Sequence, residues 1–251
     1  MGDDTKSKEL SGEFAGLTVS EAARAYKEMA DSILATMYAL VADELLIRTK
    51  NRPAGREIAT LLDIGTGMGH LATELVRRFV DRTVVALDLS PAILSEAISL
   101  GGLPEGVRPL AGDATRLPVR DGAVDIVASY GAVHHVPDKR RLFSEIYRAL
   151  APGGLALIID LNREAHKAIV DIIAAHLSRP AAGAFLESMD ESIAPGDVEE
   201  IIRAAGVPDY TVTTSPISRR AVAMNADALR RAPLKVPPTA IIWGAYIRKA
   251  G

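Results

Sequence analysis

The 251-residue sequence contains no cysteine, so disulfide bonds, thiolate metal sites and cysteine nucleophiles are excluded. It also lacks an apolar stretch long enough to cross a bilayer and an apolar signal segment near residue 1, which is why we expect a cytoplasmic protein. A strong charge is missing as well, because 29 basic and 32 acidic residues leave a net charge of −3. Nucleic-acid-binding surfaces normally carry a basic excess, so we expect neither a nucleic acid nor a membrane as partner.

What the sequence does contain is an alternation of strand-like and helix-like segments. Its composition, with 48% hydrophobic and 24% charged residues, is that of an ordinary globular protein. From residue 57 onward, short apolar runs are followed by segments whose apolar residues have helical spacing. This order predicts an α/β fold, a Rossmann-like doubly wound sheet of about seven strands. The sheet is expected to be mostly parallel, with an antiparallel last strand.

The alternation also predicts where the individual elements lie. The predicted strands are residues 58–64, 83–89, 107–114, 124–130, 155–160, 209–217 and 240–249. Ser90 and Pro91 open a predicted helix that Gly101 and Gly102 close. Further helices are predicted over residues 137–150, 165–177 and 195–206, whereas residues 181–192 are expected to be irregular.

The region before residue 57 is predicted to be a separate unit. Residues 1–56 are interpreted as a tail and a helical cap, and residues 57–251 as the Rossmann-like domain, with a cap-like insertion at about 164–195. One amphipathic helix is expected from Thr18 to Ile47, ended by the residues Asn51, Pro53 and Gly55. The candidate substrate contacts in this helix and after the fourth strand are Tyr26, Met29, Met37, Tyr38 and Tyr130. For the helix residues, ordinary core packing is the favoured alternative.

The stretch LLDIGTGMGHLA, residues 61–72, contains the first ligand-binding signal. An apolar strand stops at Gly65, Gly67 and Gly69, and an amphipathic helix follows. Glycine lets the backbone turn sharply and approach a ligand closely, because no Cβ stands in the way. In open α/β sheets the ligand lies beyond the carboxyl ends of the strands, where this turn is predicted. A plain strand–helix connection is the alternative.

Three acidic residues at predicted strand ends narrow the choice of ligand. Asp88 lies 23 residues beyond Gly65 and is placed to accept hydrogen bonds from a ribose diol. Asp63 would repel a phosphate but attract an ammonium group, and His70 occupies the position of the third glycine in a dinucleotide-binding turn. Taken alone, Asp113 could simply form an Asx-turn. Together these residues favour a ligand with an amino-acid end, a ribose and an adenine, such as S-adenosylmethionine.

Four motifs carry a resemblance to a known family. They are LLDIGTGMGHLA, VVALDLS, AGDATRLPVRDGAVDIVASYGAVHHV and RALAPGGLALI. In this order and spacing they resemble the class I S-adenosylmethionine-dependent methyltransferases. Within that family the sequence most resembles the small-molecule branch that includes the ubiquinone and menaquinone biosynthesis C-methyltransferases. The resemblance covers residues 61–159 approximately and becomes weaker on both sides, where the acceptor pocket normally forms.

The resemblance implies a role for each matching residue at the amino-acid end of the cofactor. Gly65, Gly67 and Gly69 would pass under the methionyl and ribose parts. Asp63 would lie near the amino group, and Thr66 occupies a variable position of the same turn.

At the nucleoside end, the resemblance implies that Asp88 holds the ribose hydroxyls and that Leu89 touches the adenine face. Asp113 would accept a hydrogen bond from the exocyclic amine, and the backbone amide of Ala114 would contact the ring. Ser129 would lie beside the sulfonium group and its methyl.

The reaction itself requires little from the protein, because the methyl group of a sulfonium is already activated. Alignment of the reactants can supply roughly 7–11 kcal/mol, so no catalytic residue is obligatory. His134 and His135 are the histidines nearest the predicted site. In an extended segment their side chains would point in opposite directions, so at most one of them would face the methyl group. That histidine could act as a base, but a structural role or a place in the pocket wall is the favoured interpretation.

A metal ion is not expected in this site. Adjacent histidines rarely chelate one ion. The magnesium-dependent catechol methyltransferases place an acid after the fourth strand and an Asp-Asn pair after the fifth. This sequence has Ser129 and Tyr130 at the first position and Asp160, Leu161 and Asn162 at the second.

The favoured function is therefore metal-independent methyl transfer from S-adenosylmethionine to a small, partly apolar molecule, with S-adenosylhomocysteine as product. One alternative is a non-catalytic protein that binds S-adenosylmethionine for regulation or for a partner, since a fold does not guarantee an activity. A nicotinamide-dependent oxidoreductase is less favoured, because the turn lacks the third glycine.

Overall fold

A single mixed sheet forms the centre of the molecule. The computed structural model describes residues 19–50, 57–232, 236–237 and 240–251. Its strands are β1 Thr60–Ile64, β2 Thr83–Asp88, β3 Val107–Ala111, β4 Val124–Tyr130, β5 Leu150–Leu161, β6 Tyr210–Thr213 and β7 Ile242–Arg248. They are arranged in the order β3-β2-β1-β4-β5-β7-β6. The predicted tail, the helix start at Thr18 and the helix end at residues 51–55 lie outside the described residues.

The direction of the strands confirms the predicted fold class. β1 pairs in parallel with β2 and β4, and the pairs β2–β3 and β4–β5 are parallel too. β7 runs antiparallel to both β5 and β6. The order of the strands reverses between β1 and β4, which makes this the topological switch point of the sheet. Ligands of open α/β sheets bind outside the carboxyl ends of the strands at such a point.

Helices cover both faces of this sheet. Their bounds are α1 Val19–Met29, α2 Ala35–Thr49, α3 His70–Arg78, α4 Pro91–Ser99, α5 Lys139–Ala149, α6 Lys167–Ala174, α7 Arg179–Glu191, α8 Pro195–Ala204, α9 Arg219–Met224 and α10 Ala226–Arg231. The start of α4 agrees with its predicted cap, because the Ser90 hydroxyl oxygen accepts the Ile93 amide at 3.3 Å. Pro91 follows in the first turn, and Gly101 has a φ of 70° just beyond the helix.

Several segments differ from the sequence predictions. Residues 181–192, expected to be irregular, lie almost wholly within α7. The single N-terminal helix is interrupted by a π-helical turn, Ala30–Leu34, and continues to Thr49. β5 begins earlier than predicted, at Leu150, and β6 ends earlier, at Thr213.

Successive residues of the central strands supply two apolar cores. In β1, Leu61 points to one face and Leu62 to the other, as the pleat of a strand requires. The core on the Leu61 face includes residues of α2 and α3, whereas the core on the Leu62 face includes residues of α5 and α8. Because helices cover both faces of the sheet, the sequences of its parallel strands are continuous apolar runs.

Two buried carboxylates attach α2 to the rest of the molecule. Asp43 accepts hydrogen bonds from the guanidinium of Arg78 in α3 at 2.6 and 3.1 Å, and from the side-chain amide of Asn225 at 2.7 Å. Glu44 accepts the hydroxyl of Tyr246 in β7 at 3.1 Å. Since buried charges require such partners, α2 is held in one position against α3 and β7. The division into a cap over residues 1–56 and a domain over residues 57–251 stays a prediction.

In the part of the chain that the structure describes, no helix is both long and apolar enough to span a membrane.

Candidate functional site

The glycine turn lies where β1 ends, beside the end of β2. The amide of Gly65 donates to the carbonyl of Leu87 at 2.8 Å, which fixes the turn to its neighbouring strand. Gly65, Gly67 and Gly69 have φ angles of 68°, 52° and 82°, a region that side chains disfavour. A Cβ at Gly65 would also lie 2.3 Å from the Cβ of Ala132. Glycine is therefore required at this position for two independent reasons.

Asp63 lies immediately under this turn and is buried. Its Oδ2 accepts the Thr66 hydroxyl at 2.7 Å, and the carboxylate also accepts the backbone amide of Ala72 in the first turn of α3. Burial raises the pKa of Asp63 to about 7, and the nearby charge of Asp88 acts in the same direction. The structure thus gives Asp63 a local role, in which it fastens the turn to the start of α3.

Asp88 ends β2 and contacts the same turn. Its Oδ2 accepts the amide of Gly67 at 2.9 Å, and its Oδ1 accepts the amide of Ser90 at 3.0 Å. Burial raises the pKa of Asp88, although the amides of Ser90 and Gly67 act to lower it. The next residue, Leu89, is 72% exposed. The side chain of Leu89 is therefore accessible beside the half-buried carboxylate of Asp88.

Asp113 follows β3, whose end is tied to β2 by a bond from the amide of Gly112 to the carbonyl of Asp88 (2.9 Å). The Oδ1 of Asp113 accepts both the amide and the hydroxyl of Thr115, at 2.7 and 2.8 Å. This is the Asx-turn that the sequence offered as the structural alternative. Since Asp113 is exposed and a carboxylate has several acceptor positions, this turn leaves room for a further donor. Ala114 begins a short 3₁₀ turn here.

Ser129 is the next-to-last residue of β4, and it is 1% exposed. Its hydroxyl donates to the carbonyl of Ile64 at 2.9 Å. This bond joins the ends of β1 and β4 at the switch point of the sheet. The Ser129 side chain thereby stabilises the strand ends that carry the glycine turn.

Three tyrosines lie together over the turn. Tyr26 of α1 and Tyr38 of α2 have hydroxyl oxygens 3.2 Å apart, and the ring of Tyr38 meets the ring of Tyr130 edge-on at 5.3 Å. A Cβ at Gly67 would lie 3.1 Å from the Tyr26 ring, so α1 reaches the glycine turn directly. Burial raises the pKa of Tyr38 and of Tyr130. The other two candidates, Met29 and Met37, are buried in the core, in agreement with the packing alternative.

The two histidines differ from their prediction. Residues 133–135 form a 3₁₀ turn rather than an extended segment, so the rings of His134 and His135 lie side by side, with centroids 3.9 Å apart. His134 is buried, and its Nδ1 lies 2.7 Å from Oδ1 of Asp160. His135 is exposed, and its Nδ1 lies 3.1 Å from Glu191 of α7.

Asp160 and Glu191 are the partners that sequence reasoning missed. Asp160 lies near the carboxyl end of β5, beside β4, so it shares the edge of the sheet from which His134 emerges. Strands that follow each other along the chain are usually neighbours in the sheet, so this adjacency could have been expected from the sequence. No comparable signal existed for Glu191, because its helix was expected to be irregular.

Within the described ranges, no three histidine, aspartate or glutamate side chains are grouped so that they could hold a metal ion. What the carboxyl edge does present is a row of carboxylates, Asp63, Asp88 and Asp113, at the ends of three neighbouring strands around a glycine-rich turn. Carboxylate acceptors in this order suit an ammonium, a ribose diol and an adenine amine.

The part of the chain that contains this edge is similar to known methyltransferases. Residues 62–158 match the family described as the methyltransferase domain. An uncharacterized methyltransferase from Mycobacterium sp. (strain KMS) is 36% identical over 139 residues, which are 55% of this chain and 50% of that protein. The demethylmenaquinone methyltransferase of Thermus thermophilus is 37% identical over 103 residues, 40% of this chain and 46% of that protein. The chain therefore spans about half the length of these curated relatives.

A solved structure extends the likeness of the fold to most of the chain. The plantazolicin methyltransferase BamL, in complex with a desmethyl plantazolicin analogue and SAH, has a TM-score of 0.72 at 17% identity. The alignment covers 92% of this chain and 91% of that one. At this identity the likeness concerns the fold alone. The resemblance to methyltransferases that the four motifs indicate is confirmed by the family match.

Proposed function

We propose that this chain, whose residues 62–158 match the methyltransferase domain family, transfers a methyl group from S-adenosylmethionine to a small, partly apolar molecule without a metal ion. The observation that carries this proposal is the row of carboxylates Asp63, Asp88 and Asp113 around the glycine turn. A dinucleotide would bring a pyrophosphate to this place, and the buried carboxylate of Asp63 would repel it. An ammonium group is attracted there instead.

Asp88 keeps acceptor capacity for the cofactor. Asp88 accepts one backbone amide on each oxygen, at 2.9 and 3.0 Å. Because a carboxylate offers about four acceptor positions, both ribose hydroxyls can still be bound. The two amides also fix the orientation of the carboxylate in advance, so little rotational freedom is lost on binding.

The contribution of the protein to the reaction is alignment. When bound, S-adenosylmethionine supplies an activated methyl group, and the acceptor atom must then lie in line with the carbon–sulfur bond. Tyr26, Tyr38 and Tyr130 supply rigid aromatic surfaces beside the glycine turn, which exclude water and limit how the acceptor can lie.

The enclosing elements support a small acceptor. Glu28 of α1 accepts the amide and the hydroxyl of Ser178, ahead of α7, at 3.0 and 2.7 Å. These bonds join the N-terminal cap to the insertion after β5, so the two predicted walls of the acceptor pocket contact each other. A site closed in this way suits a small molecule better than a macromolecular acceptor.

Calorimetric titration with S-adenosylmethionine and with S-adenosylhomocysteine tests the cofactor. We expect saturable binding of both and no binding of NADH under the same conditions. If neither adenosyl compound binds at millimolar concentration, the proposal is wrong, and binding of NADH alone would favour an oxidoreductase.

A non-catalytic binding protein is the second candidate, because binding alone does not establish transfer. Incubating the protein with metabolite extract and methyl-labelled S-adenosylmethionine, followed by mass spectrometry, distinguishes the two. A labelled product identifies the enzyme and its acceptor together, whereas binding without any labelled product favours the non-catalytic protein.

A further inference from the structure

The carboxylate of Asp160 holds His134 at two points. Its Oδ1 lies 2.7 Å from the ring Nδ1, and its Oδ2 accepts the backbone amide of His134 at 3.0 Å. Oδ1 also accepts the amide of Leu161 at 2.6 Å. The side chains of His134 and Asp160 are 2% and 0% exposed. A buried imidazole held at both its backbone and its ring has one defined orientation.

This contact determines which ring nitrogen carries the proton. Burial acts to raise the pKa of Asp160, but the charge of His134 and the hydrogen bonds it receives hold that pKa below its usual range. An ionised carboxylate only accepts hydrogen bonds, so Nδ1 of His134 donates. In the neutral ring, Nε2 then carries a lone pair.

The Nε2 atom of His134 is buried and has no hydrogen-bond partner among the described residues. Buried polar atoms are nearly always satisfied, and the exceptions require an explanation, of which a catalytic role is one. A residue needed only to anchor the loop would use Nδ1 and the backbone amide, both of which Asp160 already binds. The lone pair of Nε2 remains unused by the fold.

His134 lies at the carboxyl edge of the sheet, where the methyl-transfer site is predicted, because it follows β4 and bonds Asp160 near the end of β5. The residue follows β4 by four positions, and the charge of its neighbour His135 acts on Asp88. Charged side chains from two neighbouring helices, α5 and α7, lie near the two histidines. Lys139 of α5 donates to the carbonyl of His134 at 3.2 Å, and Glu191 of α7 contacts His135 at 3.1 Å.

We propose that Nε2 of His134 accepts the proton of the methyl acceptor, and that Asp160 is the residue that positions it. This inference rests on the proposed function and narrows the acceptor to a molecule whose reacting atom carries a proton, such as a hydroxyl or an acidic C–H. As the acceptor atom bonds to the methyl carbon, the carbon–sulfur bond breaks with its electron pair on sulfur. The proton of the acceptor passes to Nε2, and the imidazolium, stabilised by Asp160, later releases it to water.

A pair of substitutions separates proton acceptance from anchoring. In His134→Asn the side-chain amide takes the place of Nδ1 and can still donate to Asp160, but nothing replaces Nε2. The control is Asp209→Asn, which changes an exposed carboxylate between α8 and the edge strand β6, away from the switch point of the sheet.

The probe is metabolite extract with methyl-labelled S-adenosylmethionine, used with the full chain. We expect His134→Asn to bind S-adenosylmethionine within twofold of the wild type but to form labelled product at least 100-fold more slowly. The part of the pH profile in which the wild-type rate increases with pH should be absent from the variant. Asp160→Asn should lower the rate and move that part of the profile, whereas Asp209→Asn should change neither.

Four results would overturn the inference. These are a wild-type rate in His134→Asn, an unchanged pH profile in that variant, a labelled product whose reacting atom had no proton to lose, and cofactor binding without any transfer. Failure of the wild type to bind S-adenosylmethionine would instead overturn the proposed function itself, together with this inference.

Discussion

Asp88 accepts the backbone amide of Gly67 at 2.9 Å, which joins the end of β2 to the middle of the glycine turn. The two residues are 21 positions apart in the sequence. The carboxylate proposed to bind the ribose therefore also fixes the backbone over which the cofactor would lie. Substituting it should affect the shape of the turn as well as the hydrogen bonds to the ligand.

We expect Asp88→Ala to raise the dissociation constant for S-adenosylmethionine at least tenfold. Two lost hydrogen bonds at about 0.5–1.5 kcal/mol each are sufficient for this change. Calorimetric titration measures it, with Asp209→Ala as the control, since Asp209 is exposed and lies beyond α8. An unchanged dissociation constant in Asp88→Ala would mean that the ribose lies elsewhere.

Gly65→Ala should destabilise the protein more than Gly101→Ala. Both glycines have a φ near 70°, but a Cβ at Gly65 would lie 2.3 Å from Ala132, whereas nothing lies within 4 Å of one at Gly101. The backbone strain common to both should cost about 1–2 kcal/mol, and the clash should add roughly 1–3 kcal/mol at Gly65 alone. Chemical denaturation measures both losses.

Adding Ala132→Gly to the Gly65→Ala variant tests the cause of the difference. Removing the second methyl group should recover the part of the free energy of unfolding that is due to the clash, leaving the backbone strain. Equal losses in Gly65→Ala and Gly101→Ala, or no recovery in the double variant, would refute the contact.

The raised pKa of Asp63, about 7, predicts a pH dependence of stability. Its pKa in the folded protein exceeds that in the unfolded chain, so between the two values the folded state binds more protons. The contribution of Asp63 to stability is therefore complete below the unfolded pKa of about 4 and is lost as the pH rises through 7. The loss is on the order of 1.4 kcal/mol for each unit of pKa shift.

Asp63→Asn isolates this effect, because asparagine does not titrate. The free energy of unfolding of the wild type minus that of the variant should decrease between pH 4 and pH 7 and then become constant. Urea denaturation at several pH values measures the difference. A difference independent of pH would show that the pKa of Asp63 is the same in the folded and the unfolded protein.

Arg78→Ala should destabilise the protein far more than Arg77→Ala. Arg78 bonds the buried carboxylate of Asp43 at 2.6 and 3.1 Å, and removing it leaves that charge without its main partner, at a cost of about 3–5 kcal/mol. Arg77 is exposed and pairs with Glu74 on the surface, so its loss should cost about 0–1 kcal/mol. Thermal and chemical denaturation compare the two neighbouring variants, and similar losses would argue against the anchoring of α2.

The helices differ in how well the sequence predicts them. α4 has its signals within a few residues, with Ser90 as cap, Pro91 in the first turn and Gly101 after the end. In α7 the buried residues Ala181, Ala184, Phe185, Ser188 and Met189 have helical spacing. Alanine and serine carry little hydrophobic signal, so that periodicity is not apparent without the structure.

The sequence by itself determined the α/β architecture, the glycine turn and the carboxylates at the strand ends, because each depends on residues that are close along the chain. Only the tertiary structure decided the conformation around His134. The adjacent histidines were expected to face opposite ways, but Asp160, 26 residues away, binds both the amide and the ring of His134. The sequence pattern around His134 carries no information about Asp160, because the two residues come together only when β4 pairs with β5.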